Sequence, residues 1–184
     1  MSNKFVISDT HFGHENACTK FKREDGTPLR PFANAQEMDE AMVERWNARV
    51  NTHDIVYHLG DVVINKKFLP IMDRLNGKKK LIMGNHDIFG INEYKKYFYD
   101  IVSYRVYVDE FVFSHIPLHP DCVSNRFKVN VHGHLHQNRI MRSERVDIEY
   151  LDPRYHCVCV EHTNYTPLSF DELRTRIKKE GESR

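Results

Sequence analysis

An α/β fold is predicted by the order of the apolar runs, by what closes each run, and by a change of pattern halfway along the chain. In the first hundred residues, short strand-like runs at 5–7, 55–59 and 81–83 alternate with segments of helical spacing, as βαβ crossovers require. Each run stops at a glycine or a polar turn and hands over to carboxylates, histidines or carboxamides. In sheets of this kind, ligands gather at the carboxyl ends of the strands. Beyond residue 100 the runs at 101–108, 111–113, 127–131 and 155–160 read as further strands, with a helix only at the end.

The bulk properties narrow the class. A length of 184 residues fits one domain, 1–184, with a single substantial core. Apolar content of 40% and charged content of 29% are those of a soluble globular chain. A net charge of +1 supplies no global field that would recruit a long polyanion. No apolar run approaches a membrane span, and Lys4 leads straight into a strand without a signal peptide, so a cytoplasmic location is expected. Cys18, Cys122, Cys157 and Cys159 form no Cys-x-x-Cys pair and read as free thiols, Cys157 and Cys159 on one face of a strand. There is no repeat or low-complexity segment, and residues 178–184 look frayed.

In chain order, the first strand ends at Ser8-Asp9-Thr10-His11, where Asp9 and His11 project to the same side in extended backbone. A carboxylate and an imidazole presented together make half a site for a first-row divalent metal. In the polar loop that follows, His14 and Asn16 are candidate substrate contacts. The proline- and glycine-rich stretch 21–32 carries Arg30, which could reach an anion. Asn34 with Glu37 resembles a capping box, and Met38, Ala41, Met42, Trp46 and Val50 recur at the helical spacing of a core-facing stripe. The second strand closes at Gly60-Asp61. A helix is expected over residues 65–75 with Phe68, Met72 and Leu75 inward, although Pro70 weakens it. Lys78-Lys79-Lys80 reads as a solvated approach to the third strand, which delivers Gly84-Asn85-His86-Asp87. Three adjacent polar side chains at the mouth of a buried strand are expensive unless a ligand satisfies them.

In the second half, a tight Asp109-Glu110 turn joins two strands, the second ending at Ser114-His115. The next strand runs into His132-Gly133-His134-Leu135-His136. His134 and His136 repeat the two-residue spacing, and Gly133 permits close backbone approach, whereas His132 reads as a supporting or core histidine. Ser169 with Glu172 caps a terminal helix reaching about Lys179.

Taken together, Asp9-Thr10-His11, Gly60-Asp61, Gly84-Asn85-His86-Asp87, His115 and Gly133-His134-Leu135-His136 appear in the order of the five dispersed blocks of the calcineurin-like metallophosphoesterase superfamily. The chain resembles that family, and in its compact size it is similar to the short members found in bacteria and their phages. The resemblance implies a four-layer αββα arrangement, with two mixed β-sheets sandwiched together and flanked by helices. It implies a dinuclear metal centre in which Asp9, His11 and His136 hold one ion, Asn85, His115 and His134 hold the other, and Asp61 bridges them. His86 would serve as proton donor to the leaving oxygen or as stabiliser of the transferring phosphoryl group. One departure stands out. Many relatives carry an acid three residues beyond the bridging aspartate, where this chain has Ile64, so what orients His86 is open.

Elementary chemistry agrees with these roles. Two divalent cations roughly 3.5–4 Å apart can clamp a phosphoryl group and provide hydroxide near neutral pH. The mixed nitrogen and oxygen donors favour manganese foremost, with iron, zinc, nickel, cobalt or magnesium as alternatives, over calcium. Seven candidate ligands exceed the four of a closed structural zinc site. The expectation is a metal-dependent phosphodiesterase using hydroxide attack on phosphorus, with phosphomonoesterase action or a non-catalytic binding scaffold as alternatives. Its partner would be a small phosphoester, a nucleotide or nucleic-acid end among them, with His14 and Arg30 as substrate contacts. No membrane and no obligatory protein partner are expected.

Overall fold

Alternation along the first strand sets the layers. The structure, a computed structural model, describes residues 2–123, 127–145 and 148–182. In β1 (Lys4–Ile7), Phe5 and Ile7 face one way and Val6 the other, the period of two that an extended chain imposes. Phe5 and Ile7 pack with Met38, Met42 and Trp46 of helix α2 (Ala35–Asn47), which follows the short α1 (Glu15–Thr19). Met38 and Met42 are buried, and burying each contributes about 1.5–3 kcal/mol. The α2 terminus forms as its sequence predicts, with the Asn34 side chain accepting the Glu37 N–H at 2.9 Å.

The chain continues through β2 (Ile55–His58), β3 (Lys78–Ile82), α3 (Ile91–Tyr94) and β4 (Asp100–Val102). Strands β1, β2, β3 and β4 pair in parallel, and β11 (Leu168–Ser169) joins β1 antiparallel, giving the order β11-β1-β2-β3-β4. A second mixed sheet has the order β10-β7-β6-β5, built from β5 (Tyr104–Tyr107), β6 (Phe111–Ser114), β7 (Val129–His132) and β10 (Tyr155–Cys157). A separate hairpin pairs β8 (Met141–Arg145) with β9 (Ile148–Leu151). Val6, Tyr57, Leu59 and Ile82 of the first sheet meet Phe111, Phe113, Val129 and Val131 of the second in one apolar layer. Helix α4 (Phe170–Glu182) inserts Phe170 and Leu173 into that layer. The result is an α/β architecture of two mixed sheets face to face with helices packed against them.

Four local expectations change. Residues 65–75 form a 3-10 segment, Lys66–Arg74, because Pro70 lacks the N–H and crowds the preceding turn that an α-helix needs. The run 101–108 is split at Ser103, so β4 belongs to the first sheet and β5 to the second, and the chain crosses between sheets there. The run 155–160 stays a strand only to Cys157 before turning into a 3-10 segment at Val160–His162. The tail is helical as far as Glu182, while residues 183–184 lie outside the described residues. Among the described residues no helix is long and apolar enough to cross a membrane.

Candidate metal centre

Parallel pairing places the carboxyl ends of β1, β2 and β3 on one edge, and three loops leave that edge side by side. Backbone bonds lock them together: Asp9 N–H donates to Gly60 O, His11 N–H to Asp61 O and Phe12 N–H to Val62 O, each at 3.0 Å. The second sheet reaches the same edge through a parallel bridge between Ser8 and Cys159, and Gly133 N–H donates to His115 O at 3.0 Å. Topology alone therefore brings Asp9, His11, Asp61, Asn85, His115, His134 and His136 to one place.

The backbone there is strained. Asp9, His11, Asp61, His134 and His136 take left-handed φ values of 57°, 46°, 58°, 69° and 50°. Such a conformation costs a non-glycine residue on the order of 1–3 kcal/mol and persists only when surroundings dictate it. Five of the seven candidate ligands carry this strain, which turns their side chains inward at the strand ends. Gly84 and Gly133 make the convergence possible. A Cβ on Gly84 would strike the Asp61 carboxylate, and one on Gly133 would strike Ser8 Oγ and Asp9 Oδ2.

The donor atoms form two adjoining groups. Ligating atoms of Asp9, His11 and His136 lie within 4.8 Å of one another, and so do those of Asp9, Asp61 and His115. Asp61 spans them: its Oδ2 lies 3.4 Å from both His11 Nε2 and His115 Nε2, and its Oδ1 accepts the His86 N–H at 2.9 Å. Asn85 Oδ1 sits 2.8 Å from His115 Nε2 and 2.9 Å from His134 Nδ1. Asp9 is anchored through one oxygen, Oδ2, by Ser8 Oγ at 2.5 Å, His134 N at 3.0 Å and Cys159 Sγ at 3.2 Å. Its other oxygen, Oδ1, is buried with no hydrogen-bond partner, as are both ring nitrogens of His11.

Those orphaned atoms are what a cation would satisfy. His115 Nδ1 faces the Leu59 carbonyl at 2.7 Å, which requires a proton on Nδ1. In the neutral ring the Nε2 lone pair then faces two oxygens, those of Asn85 and Asp61. A proton or a metal ion on Nε2 resolves that arrangement, and the residues fit a divalent pair. The charges respond in the same sense. Burial pushes the Asp61 carboxyl up, but the hydrogen bond and charge of His115 and the charge of His11 outweigh it and hold it at about 2. Burial lowers His115, yet its bond to Asp61 and the charges of Asp9 and Asp61 raise it to about 8. His11 is driven well below the ordinary imidazole value by burial and by Arg30.

A buried layer supports these groups, and much of it is not apparent in the sequence. Asp87 accepts the N–H groups of Asp61 at 2.8 Å, Val62 at 3.0 Å and Gly84 at 2.8 Å, tying the second and third loops together. His58, held neutral by burial at about 3, accepts the Gly60 N–H on Nδ1 at 3.2 Å and meets Thr10 Oγ1 at 2.9 Å, which donates to Val62 O at 2.8 Å. Glu161 accepts from Arg30 Nε at 2.9 Å and lies 3.2 Å from His136 Nδ1. Its only sequence signal is a charged residue directly after the apolar run 155–160. His132 is buried with its Nδ1 2.8 Å from Gly133 O, a core histidine as expected.

The proposed substrate contacts divide. His14 is half-buried at the rim, its ring 5.7 Å from that of His11 and edge-on to Phe21 at 5.4 Å. Arg30 is a correction: it is 0% exposed, with Nη1 donating to Thr10 O at 2.7 Å and Nη2 to Asp9 O at 2.6 Å. With its guanidinium committed behind the site, it presents no group to a substrate. His86 stands exposed, its ring 5.5 Å from His11 and edge-on to it. Among the described residues no hydrogen bond reaches its imidazole; only its backbone N–H is held, by Asp61.

Comparison with known proteins shows which family the chain resembles. The family model described as Calcineurin-like phosphoesterase superfamily domain matches residues 3–153. The chain is 31% identical over 190 aligned residues to Uncharacterized protein MJ1445 of Methanocaldococcus jannaschii, covering 97% of this chain and 93% of that protein. It is 30% identical over 93 residues to the Gene 66 protein of Mycobacterium phage L5, covering 47% of this chain and 41% of the relative. Among solved structures it is similar to the protein of unknown function AQ665 from Aquifex aeolicus, with a TM-score of 0.67, 26% identity, and coverage of 96% of this chain and 100% of the other.

Proposed function

The chain belongs to the calcineurin-like phosphoesterase superfamily, and on that footing we propose that it is a metal-dependent phosphodiesterase with a dinuclear centre. Residues 1–184 would act as one catalytic domain, in the cytoplasm, on a small phosphoester such as a nucleotide or a nucleic-acid end. The observation that carries this reading is the convergence of strand-end donors around buried atoms without a hydrogen-bond partner among the described residues, Asp9 Oδ1 and both His11 nitrogens. A fold hosts many functions, so the site has to carry the argument.

In this reading Asp9, His11 and His136 hold one divalent ion, Asn85, His115 and His134 hold the second, and Asp61 is shared. Manganese is the ion proposed. When bound, such a pair supplies Lewis-acid polarisation of the phosphoryl oxygens and activation of water near neutral pH. The rest falls to the chain. Asp61 places a negative charge between the two positions, offsetting cation repulsion. Neutral imidazoles and the Asn85 carboxamide keep the remaining charge low enough for a phosphate anion to approach. His86, exposed beside His11, donates a proton to the leaving oxygen, and His14 contacts the phosphoester from the rim.

The test is hydrolysis of bis-p-nitrophenyl phosphate and p-nitrophenyl phosphate by metal-stripped protein supplied in turn with manganese, nickel and magnesium. Turnover of the diester with at least one metal, exceeding that of the monoester, is expected. A faster monoester rate would make the protein a phosphomonoesterase, and a folded protein inert with every metal would make it a binding scaffold.

A further inference from the structure

Behind the candidate ligands runs a buried ion pair that joins distant parts of the chain. Arg30 and Glu161 stand 131 residues apart, and their side chains are 0% and 1% exposed. Arg30 spends its guanidinium on Glu161 Oε1 at 2.9 Å, the Thr10 carbonyl at 2.7 Å and the Asp9 carbonyl at 2.6 Å, with Met38 Sδ 3.4 Å from Nη1. The same Glu161 oxygen lies 3.2 Å from His136 Nδ1. One fork therefore grips the left-handed turn at Asp9 from behind and seats the carboxylate that touches His136.

We infer that Glu161, seated on Arg30, is the positioning residue of His136 and sets the affinity of the cation position built on Asp9, His11 and His136. The inference rests on the metal-centre reading above. An ionised carboxylate only accepts, so its contact fixes the proton on Nδ1 and leaves the Nε2 lone pair for a metal. No other hydrogen bond to the His136 imidazole forms among the described residues, and the backbone there is strained at φ 50°. The ring also stacks on that of His11 at 5.2 Å, but among the described residues only Glu161 fixes it through a ring nitrogen. Glu161 has a second task. Arg30 brings a positive charge close behind Asp9, which opposes a cation in front of it, and the Glu161 carboxylate cancels that charge. Arg30 alone would weaken the site, whereas the pair holds the loop without an electrostatic penalty.

Two variants separate these tasks. Glu161→Gln keeps an acceptor for Nδ1 but removes the charge; Glu161→Ala removes both. Metal-stripped wild type and both variants are titrated with Mn²⁺ by equilibrium dialysis, with electron paramagnetic resonance reporting whether two ions are spin-coupled. Wild type should take up two Mn²⁺ with a coupled signal. Glu161→Gln should bind one of the two ions about 10- to 100-fold more weakly, the usual scale for losing a ligand's carboxylate partner. Glu161→Ala should retain a single uncoupled Mn²⁺, held through Asn85, His115 and His134. Circular dichroism of the metal-free proteins checks folding, and if Glu161→Ala does not fold, Glu161→Gln decides. A folded variant that takes up two coupled ions with wild-type affinity overturns the inference. Wild type that binds no Mn²⁺ overturns its premise as well, while wild type that binds two ions yet hydrolyses no ester overturns only the catalytic reading.

Discussion

The two sides of the site are built differently. On one side, Asp9 and His11 are buried, and a fully internal layer of Ser8, Arg30, Cys159 and Glu161 stands behind them and His136. On the other, Asn85 and His86 are exposed, on a loop held by the Gly84 N–H to Asp87 and the His86 N–H to Asp61. The buried side is organised by charges and hydrogen bonds that water cannot replace, because an unpaired polar group there has no alternative partner. The exposed side is organised by where its loop runs: Asn85 Oδ1 meets His115 and His134, while no hydrogen bond among the described residues reaches the His86 imidazole. In the proposed reading, the buried side would set the candidate metal positions in advance and the exposed side would meet the leaving group.

The sharpest way to break the distinction is to remove what the two sides share. Asp61→Ala should abolish simultaneous binding of two ions and lower kcat/KM on bis-p-nitrophenyl phosphate by about 10³- to 10⁴-fold, the equivalent of several kcal/mol of charge stabilisation. Metal content and kinetics on the same preparation check it, and two tightly bound ions in the variant would contradict the shared role. Next in size is a change confined to the exposed side. His86→Ala should lose about 10²-fold in kcat with both ions retained, toward the lower end for a general acid because no carboxylate among the described residues orients the ring. Loss of metal in that variant would move His86 into the ligand set.

Gly84→Ala probes the seam between the sides. The added Cβ meets Asp61 Oδ1 and the Asp61 N–H, so the loop must shift, and a displacement on the order of 1 Å costs about 10²-fold in rate. Unlike His86→Ala, it should lower metal affinity as well as turnover, which a metal titration resolves.

The smallest expected effect belongs to the buried side and concerns stability in metal-free protein. Burial pushes Glu161 up, but the charge of Arg30 and the bond to His136 bring it from 4.5 down to about 2. A carboxyl depressed in the folded state contributes stability that is fully present above its unfolded value near pH 4.5 and is lost as pH falls toward 2. The contribution amounts to at most about 3 kcal/mol. Denaturant unfolding from pH 6 to pH 2 should therefore show a steeper acid loss for wild type than for Glu161→Gln. Parallel profiles would mean that the pair has no net electrostatic value.

Much of this was legible in the chain because function and topology write to the same places. Asp9, Asp61 and Asn85 were recognisable since each follows an apolar run, and parallel strands carry whatever follows them to one edge. His134 and His136 were recognisable by their spacing and by Gly133. Arg30 was misread for a physical reason. A lone arginine in a proline- and glycine-containing stretch looks solvated, and nothing local announces that Glu161 and two carbonyls will enclose it. Glu161, Ser8 and Cys159 were missed on the same ground: their partners are remote in sequence, so no spacing rule reaches them. Pro70 spoke for itself locally, through the N–H it lacks, and the 3-10 segment followed.

By itself the sequence determined β1, β2, β3, β6 and β7, their polar endings, the caps of α2 and α4, and hence which side chains would arrive at the carboxyl edge, but not β8, β9 or β11. These follow from periodicity and from bonds between residues a few positions apart. Only the tertiary structure decided the left-handed turns that aim five candidate ligands inward, the carboxylate spanning two histidines and the burial of Arg30 on Glu161. Each of those depends on a contact between distant segments, and no residue can settle such a contact until its partner has been folded against it.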